Sequence, residues 1–90
     1  MAKDRVLVVD DEDLIRKWLD VFLENEGYEV TLAEDAAAAR TNFPEKSPHA
    51  VILDLKLPDG DGMTLLQEFI ETDPDIAIIM LSAHGDIDTA

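Results

Sequence analysis

Four polar residues stand where apolar runs end. Val6 to Val9 stops abruptly at Asp10-Asp11-Glu12-Asp13, Asp54 interrupts the run Ala50 to Leu55, and Ile76 to Leu81 ends at Ser82. If these runs are parallel strands, ligands bind at their carboxyl ends, near the point where the strand order reverses. Three carboxylates and a hydroxyl would then meet in one small crevice. Carboxylates ~5 Å apart at an effective dielectric of ~20 repel by roughly 3 kcal/mol per pair. A fold gathers them only with a cation or with raised pKa values. Mg²⁺ suits such a site, because it takes one or two carboxylates, keeps waters and favours phosphate oxygens. A carboxylate beside it can act as a nucleophile and become an aspartyl phosphate. A nearby hydroxyl can hydrogen-bond a phosphoryl oxygen. Each residue also has a plainer reading. Asp-Asp often just complements a helix dipole, and a lone serine means little. Asp54 is more telling, since an unpaired carboxylate in an apolar run is costly.

The elements that would position these residues alternate. Val6 to Val9 reads as a buried strand. Leu14, Ile15, Trp18, Leu19, Phe22 and Leu23 recur at three- and four-residue spacing, which predicts one apolar helix face. Asp13 or a neighbour can cap its start and Gly27 can stop it. Tyr28 to Ala33 alternates as a half-buried edge strand. Ala36 to Phe43 predicts a short helix ending before Pro44. Ala50 to Leu55 is a second buried strand. Pro58-Asp59-Gly60-Asp61-Gly62 is turn chemistry. Leu65, Leu66, Phe69 and Ile70 mark a third helix face, and Ile76 to Leu81 a further strand. Ser82 to Ala90 reads as a loop entering a helix that is cut off. The pattern implies an α/β fold, a parallel sheet with helices on both faces.

Composition narrows the function class. Ninety residues hold 7 Lys plus Arg against 21 Asp plus Glu, a net charge of −14. That argues against this chain gripping a nucleic acid backbone or an anionic membrane. There is no cysteine, hence no disulfide and no thiolate metal site. No apolar run approaches the ~20 residues of a membrane span, and Met1 to Arg5 lack a signal-peptide core. A cytoplasmic location is expected.

At these residues the sequence resembles the receiver domain of two-component response regulators. The matching stretches are Val6-Leu-Val-Val-Asp-Asp-Glu12, Ala50-Val-Ile-Leu-Asp-Leu-Lys-Leu-Pro-Asp-Gly-Asp-Gly-Met63 and Ile78-Ile-Met-Leu-Ser-Ala-His-Gly85. The resemblance covers the whole chain. It is nearest to the nitrogen-regulation class, whose receivers precede a σ54-activating AAA+ ATPase and a DNA-binding domain. It implies a flavodoxin-like, doubly wound parallel sheet. It implies Asp54 as phosphoacceptor and Asp10 and Asp11 as the acidic pair, with Asp11 the direct Mg²⁺ ligand and Asp10 acting mainly through water. The Lys56 backbone carbonyl would join the Mg²⁺ shell, and Ser82 would be the switch hydroxyl. The donor would be a phosphohistidine on a sensor histidine kinase and the output transcriptional. Lys56 and His84, two positions after Asp54 and Ser82, fall where the family modulates how long the phosphate lasts; their plainer reading is ordinary rim residues. Such a domain assists its own phosphoryl transfer and is not a turnover enzyme.

One departure stands out. The family places a lysine and an aromatic switch residue on a fifth strand, and no such strand follows here. The strand starts Arg5, Tyr28, Ala50 and Ile76 lie 23, 22 and 26 residues apart, so five units need roughly 120 residues. The expectation is a receiver truncated at its carboxyl end: residues 1–90 carry four strands, three helices and the start of a fourth, with the fifth strand and last helices missing. The alternative function is therefore a non-switching fragment that serves as a dimerisation or interaction module. Its unpaired strand edge predicts a homodimer, with exchange of elements between chains as one route.

Other motifs carry less. Asp59-Gly60-Asp61-Gly62 with Glu68 suggests a calcium loop, but its first position would be Leu57, which cannot ligate. His49 reads as a surface residue opening a strand, with no ligand at metal spacing beside His84. Met63 and Met80 read as core fillers, and Trp18 as the anchor of the first helix on the sheet. There is no phosphate-cradling glycine loop and no Ser-His-Asp arrangement.

Overall fold

A computed structural model of the chain describes residues 3–81. The elements run β1 (Arg5–Val9), α1 (Asp13–Asn25), β2 (Glu29–Ala33), α2 (Ala36–Lys46), β3 (Ala50–Asp54), β4 (Lys56–Leu57), β5 (Gly60–Asp61), α3 (Gly62–Thr72) and β6 (Ala77–Leu81). The main sheet has the order β2-β1-β3-β6, and every pairing in it is parallel. This is the expected flavodoxin-like α/β architecture. β1 and β3 lie inside the sheet, which is why both are continuous apolar runs, buried after their first residue. β2 is the expected half-buried edge.

The pleat sends alternate residues to opposite faces. Leu7, Val9, Val51 and Leu53 pack with Phe43, Leu65 and Phe69 of α2 and α3. Val6, Val8 and Ile52 pack with Leu23 of α1 on the other face. The alanines of α2 let it lie close: Ala36 and Ala39 are fully buried. Phe43 of α2 stacks on Phe69 of α3 with ring centroids 4.1 Å apart.

Several sequence expectations need correction. Only part of the apolar face of α1 is covered. Leu23 is buried and Leu19 packs behind it, but Trp18 is 62% exposed and Leu14 80%. The apolar arc of α1 is wider than its contact with the sheet. Trp18 therefore stacks on Phe22, centroids 5.4 Å apart, along the outer side of the helix, and does not anchor α1. Met63 is likewise exposed, not a core filler, whereas Met80 does pack against the core. At the start of α1 the cap position is Glu12, which makes no side-chain cap bond. Gly27 does end the helix, with φ at +96°.

α2 does not stop before Pro44 but runs through it to Lys46. Proline removes one helix hydrogen bond there, and tertiary contacts hold the last turn. Phe43 is anchored on Phe69. The Arg5 guanidinium donates to the carbonyls of Lys46 and Ser47, each at 2.8 Å. The segment read as a plain turn is a small antiparallel ribbon, β4 with β5. β2 and β6 each begin one residue later than read, at Glu29 and Ala77.

Candidate functional site

β1 and β3 are neighbours, and the order β2-β1-β3-β6 reverses direction between them. Their carboxyl ends form the crevice that an open parallel sheet offers to ligands. Asp10 follows β1 directly, Asp11 comes next, and Asp54 is the last residue of β3. One carboxylate oxygen from each of the three lies within 4.8 Å of the others. Asp10 is 4% exposed and Asp54 9%, while Asp11 is exposed at the mouth.

Local hydrogen bonds fix this arrangement. The Asp10 N–H donates to the Ala33 carbonyl at 3.1 Å, which ties the end of β1 to the end of β2. Asp10 Oδ1 accepts from the Glu12 N–H at 2.8 Å, and Asp54 Oδ1 from the Lys56 N–H at 3.1 Å. α3 starts hard against Asp54. A Cβ on Gly62 would lie 2.3 Å from the Asp54 carbonyl oxygen and 2.8 Å from Leu55 Cα. Only glycine fits that approach. The Gly62 N–H also donates to the Leu55 carbonyl at 2.9 Å.

The electrostatics follow from the crowding. Burial pushes the Asp10 carboxyl above the ordinary carboxylate range, the Glu12 N–H partly offsets this, and the charges of Asp54, Asp11 and Glu12 push it up further. Among the described residues no basic side chain forms an ion pair with Asp10, Asp11 or Asp54. Three oxygen donors without a cationic partner suit a small hard cation, as Mg²⁺ is.

The structure thus brings Asp10, Asp11 and Asp54 together and sets the Lys56 backbone beside Asp54. Ser82 and His84 lie outside the described residues. The acids of the calcium-loop reading are engaged elsewhere. Asp59 accepts from the Ala36 N–H, Asp61 caps α3 through the Met63 N–H, and Glu68 binds Arg40. Sequence reasoning missed Arg16, whose Nη1 donates to the Asp10 carbonyl at 2.7 Å. Its one signal was a position in the first turn of α1, just past the acids. Among the described residues no helix is long and apolar enough to cross a membrane.

The fold recurs in known proteins. The family model described as response regulator receiver domain matches residues 6–90. A probable transcriptional regulator ycf27 of Guillardia theta is 46% identical over 86 residues, covering 96% of this chain and 34% of the relative. The transcriptional regulatory protein CssR of Bacillus subtilis (strain 168) is 43% identical over 84 residues, covering 92% and 37%. The chain spans about a third of the length of the curated relatives it matches. Among solved structures, a CheY-like receiver domain protein from Methanospirillum hungatei JF-1 superposes with a TM-score of 0.89 at 30% identity, covering 96% of this chain and 69% of that one. NtrX from Brucella abortus superposes with a TM-score of 0.86 at 36% identity, covering 93% and 20%.

Proposed function

Since the chain belongs to the response regulator receiver domain family, we propose that it takes a phosphoryl group onto Asp54, with Mg²⁺, and thereby switches a transcriptional output. It is the receiver domain of a two-component response regulator, a signalling module and not a turnover enzyme. The observation that carries the proposal is the convergence of the Asp10, Asp11 and Asp54 carboxylates within 4.8 Å.

In this reading Asp11 would hold Mg²⁺ directly and Asp10 mainly through water, and Asp54 and the Lys56 backbone carbonyl would complete the protein's share of the shell. When bound, the cation would supply positive charge against the oxygens of the transferring phosphoryl group. The free oxygen of Asp54 attacks phosphorus. An O–P bond forms, the P–N bond of the donor phosphohistidine breaks, and the departing imidazole nitrogen keeps the electron pair. The Lys56 N–H on Asp54 Oδ1 aims the carboxylate for that attack. Ser82 is the switch hydroxyl that binds a phosphoryl oxygen, and Lys56 and His84 tune how long the phosphate lasts. The phosphoryl donor is a sensor histidine kinase in the cytoplasm. NtrX, at 36% identity, supports the nitrogen-regulation class. Identities to ycf27 and CssR are higher, so the proposal is set at transcriptional output without a class.

The test is phosphate incorporation from phosphoramidate and Mg²⁺ by the full-length protein. Incorporation should vanish with Asp54→Asn and with excess chelator. Equal labelling of wild type and Asp54→Asn would sink the assignment.

A second reading, self-association, is favoured by one feature. Trp18, Val21 and Phe22 are exposed on α1 and Ile79 on β6, and among the described residues β6 pairs only with β3. An open apolar edge recruits strands. Light scattering that shows only monomer at high micromolar concentration would dismiss it.

A further inference from the structure

The Arg16 guanidinium holds the acidic turn from behind. Its side chain is only 13% exposed. Nη1 donates to the Asp10 carbonyl at 2.7 Å. Nη2 donates to Asp13 Oδ1 in the same first turn of α1, and Glu34 Oε1 of the β2–α2 turn stands 4.0 Å away. Three segments of chain thus meet around one planar cation.

We propose that Arg16 is a positioning residue for cation binding, fixing the turn that carries Asp10 and Asp11; this rests on reading the pocket as a Mg²⁺ site. The Asp10 carbonyl lies at the end of β1, in a residue that is almost wholly buried. A buried carbonyl requires a donor, and Arg16 supplies a charged one. The peptide group is planar. Pinning the Asp10 oxygen therefore also fixes the Asp11 N and Cα, which lie in the same plane, and leaves only the Asp11 φ to set where its side chain leaves the turn. The Asp10 N–H is already tied to Ala33, so both sides of the residue are held.

The choice of arginine follows from the same geometry. Its fork serves a carbonyl and a carboxylate together, which the single ammonium of lysine does less well. Because those groups occupy it, Arg16 holds the turn without forming an ion pair with the pocket carboxylates. Their charge stays available to a cation. Groups that orient metal ligands from behind typically change metal affinity about 10- to 100-fold when removed.

The experiment is calorimetric titration of the full-length protein with MgCl₂, with far-UV circular dichroism confirming that each variant is folded. Arg16→Met should weaken Mg²⁺ binding by about tenfold. Arg16→Lys should recover part of that loss. Asp13→Asn, which breaks the ion pair and leaves the carbonyl contact, should bind within about twofold of wild type. Wild-type affinity in Arg16→Met would overturn the proposal and leave the Mg²⁺ reading standing. Loss in Asp13→Asn equal to that in Arg16→Met would assign the effect to the ion pair and overturn it too. No binding by wild type would overturn the Mg²⁺ reading, and this proposal with it. If Arg16→Met does not fold, Arg16→Lys decides: weaker binding supports positioning, and unchanged binding refutes it.

Discussion

The Asp59 carboxylate caps a helix that begins 23 residues before it, accepting from the Ala36 N–H at 2.8 Å. Its second oxygen accepts from the Ala37 N–H at 3.0 Å. Asp35 supplies the local cap, through its side chain to Ala38 and its carbonyl to Ala39. The four N–H groups that open α2 are thus all satisfied. Asp59 sits between β4 and β5, so the ribbon that follows Asp54 is fastened to α2. The two helix N–H bonds hold the Asp59 carboxyl below the ordinary carboxylate range. A carboxyl lowered in this way stabilises the fold above its unfolded value, about 3.9, and loses that contribution as pH falls through its folded value. Asp59→Ala should therefore lower the urea midpoint at neutral pH, and the gap from wild type should close in acid. A gap that stays constant down to acid pH would show that the cap is not the cause.

Asp10 has the opposite sign. Its folded carboxyl is raised, so between the unfolded and folded values the native state holds the extra proton. Stability from this group then falls as pH rises through that window. Asp10→Asn keeps an acceptor for the Glu12 N–H and removes the charge. It should stabilise the metal-free chain by on the order of 1 kcal/mol, because it removes the cost of burying a charge first and the repulsion from Asp54, Asp11 and Glu12 second. The same variant should bind Mg²⁺ more weakly. Urea denaturation with and without MgCl₂ reads both effects, and a destabilised metal-free variant would contradict the account.

Gly62→Ala should be severe. The new methyl meets backbone, not a side chain that could swing away, so either α3 or the end of β3 must move. A loss of at least about 2 kcal/mol is expected, with weaker Mg²⁺ binding because Asp54 moves with the strand. Chemical denaturation checks the first part and cation titration the second.

Two residues five apart on α1 should behave very differently. Trp18 is exposed and, among the described residues, stacks only on Phe22, so Trp18→Ala should change stability by less than about 1 kcal/mol. Leu23 is buried against Val6, Val8 and Ile52, and Leu23→Ala should cost about 2–4 kcal/mol. Thermal or urea unfolding of the pair decides it. A large loss for Trp18→Ala would mean that its ring is covered.

The alternation of strands and helices was legible because it rests on local periodicity. Buried strands read as continuous runs and helices as three- and four-residue repeats. The acidic candidates were legible for a related reason. Asp54 breaks an apolar run, and Asp10 and Asp11 end one, which no solvated surface requires. Helix ends and faces were less so. Nothing local shows that Arg5 and Phe69 would carry α2 past Pro44. An apolar stripe also does not say how much of its arc another element will cover, so Trp18 was read inward and lies outward.

By itself the sequence determined the order of elements, the α/β class and which acids could do chemistry, since each depends on residues near one another in the chain. The pocket shared by Asp10, Asp11 and Asp54 was expected from the strand pattern and is realised by the fold; the tertiary structure alone decided that Arg16 grips the turn beside them and that Asp59 closes α2. The pocket depends on β3 lying beside β1 with β2 on the other side. Such pairing comes from packing two apolar faces at once, which no local stretch of sequence encodes. The last two depend on side chains meeting across turns and elements that only the assembled sheet brings together.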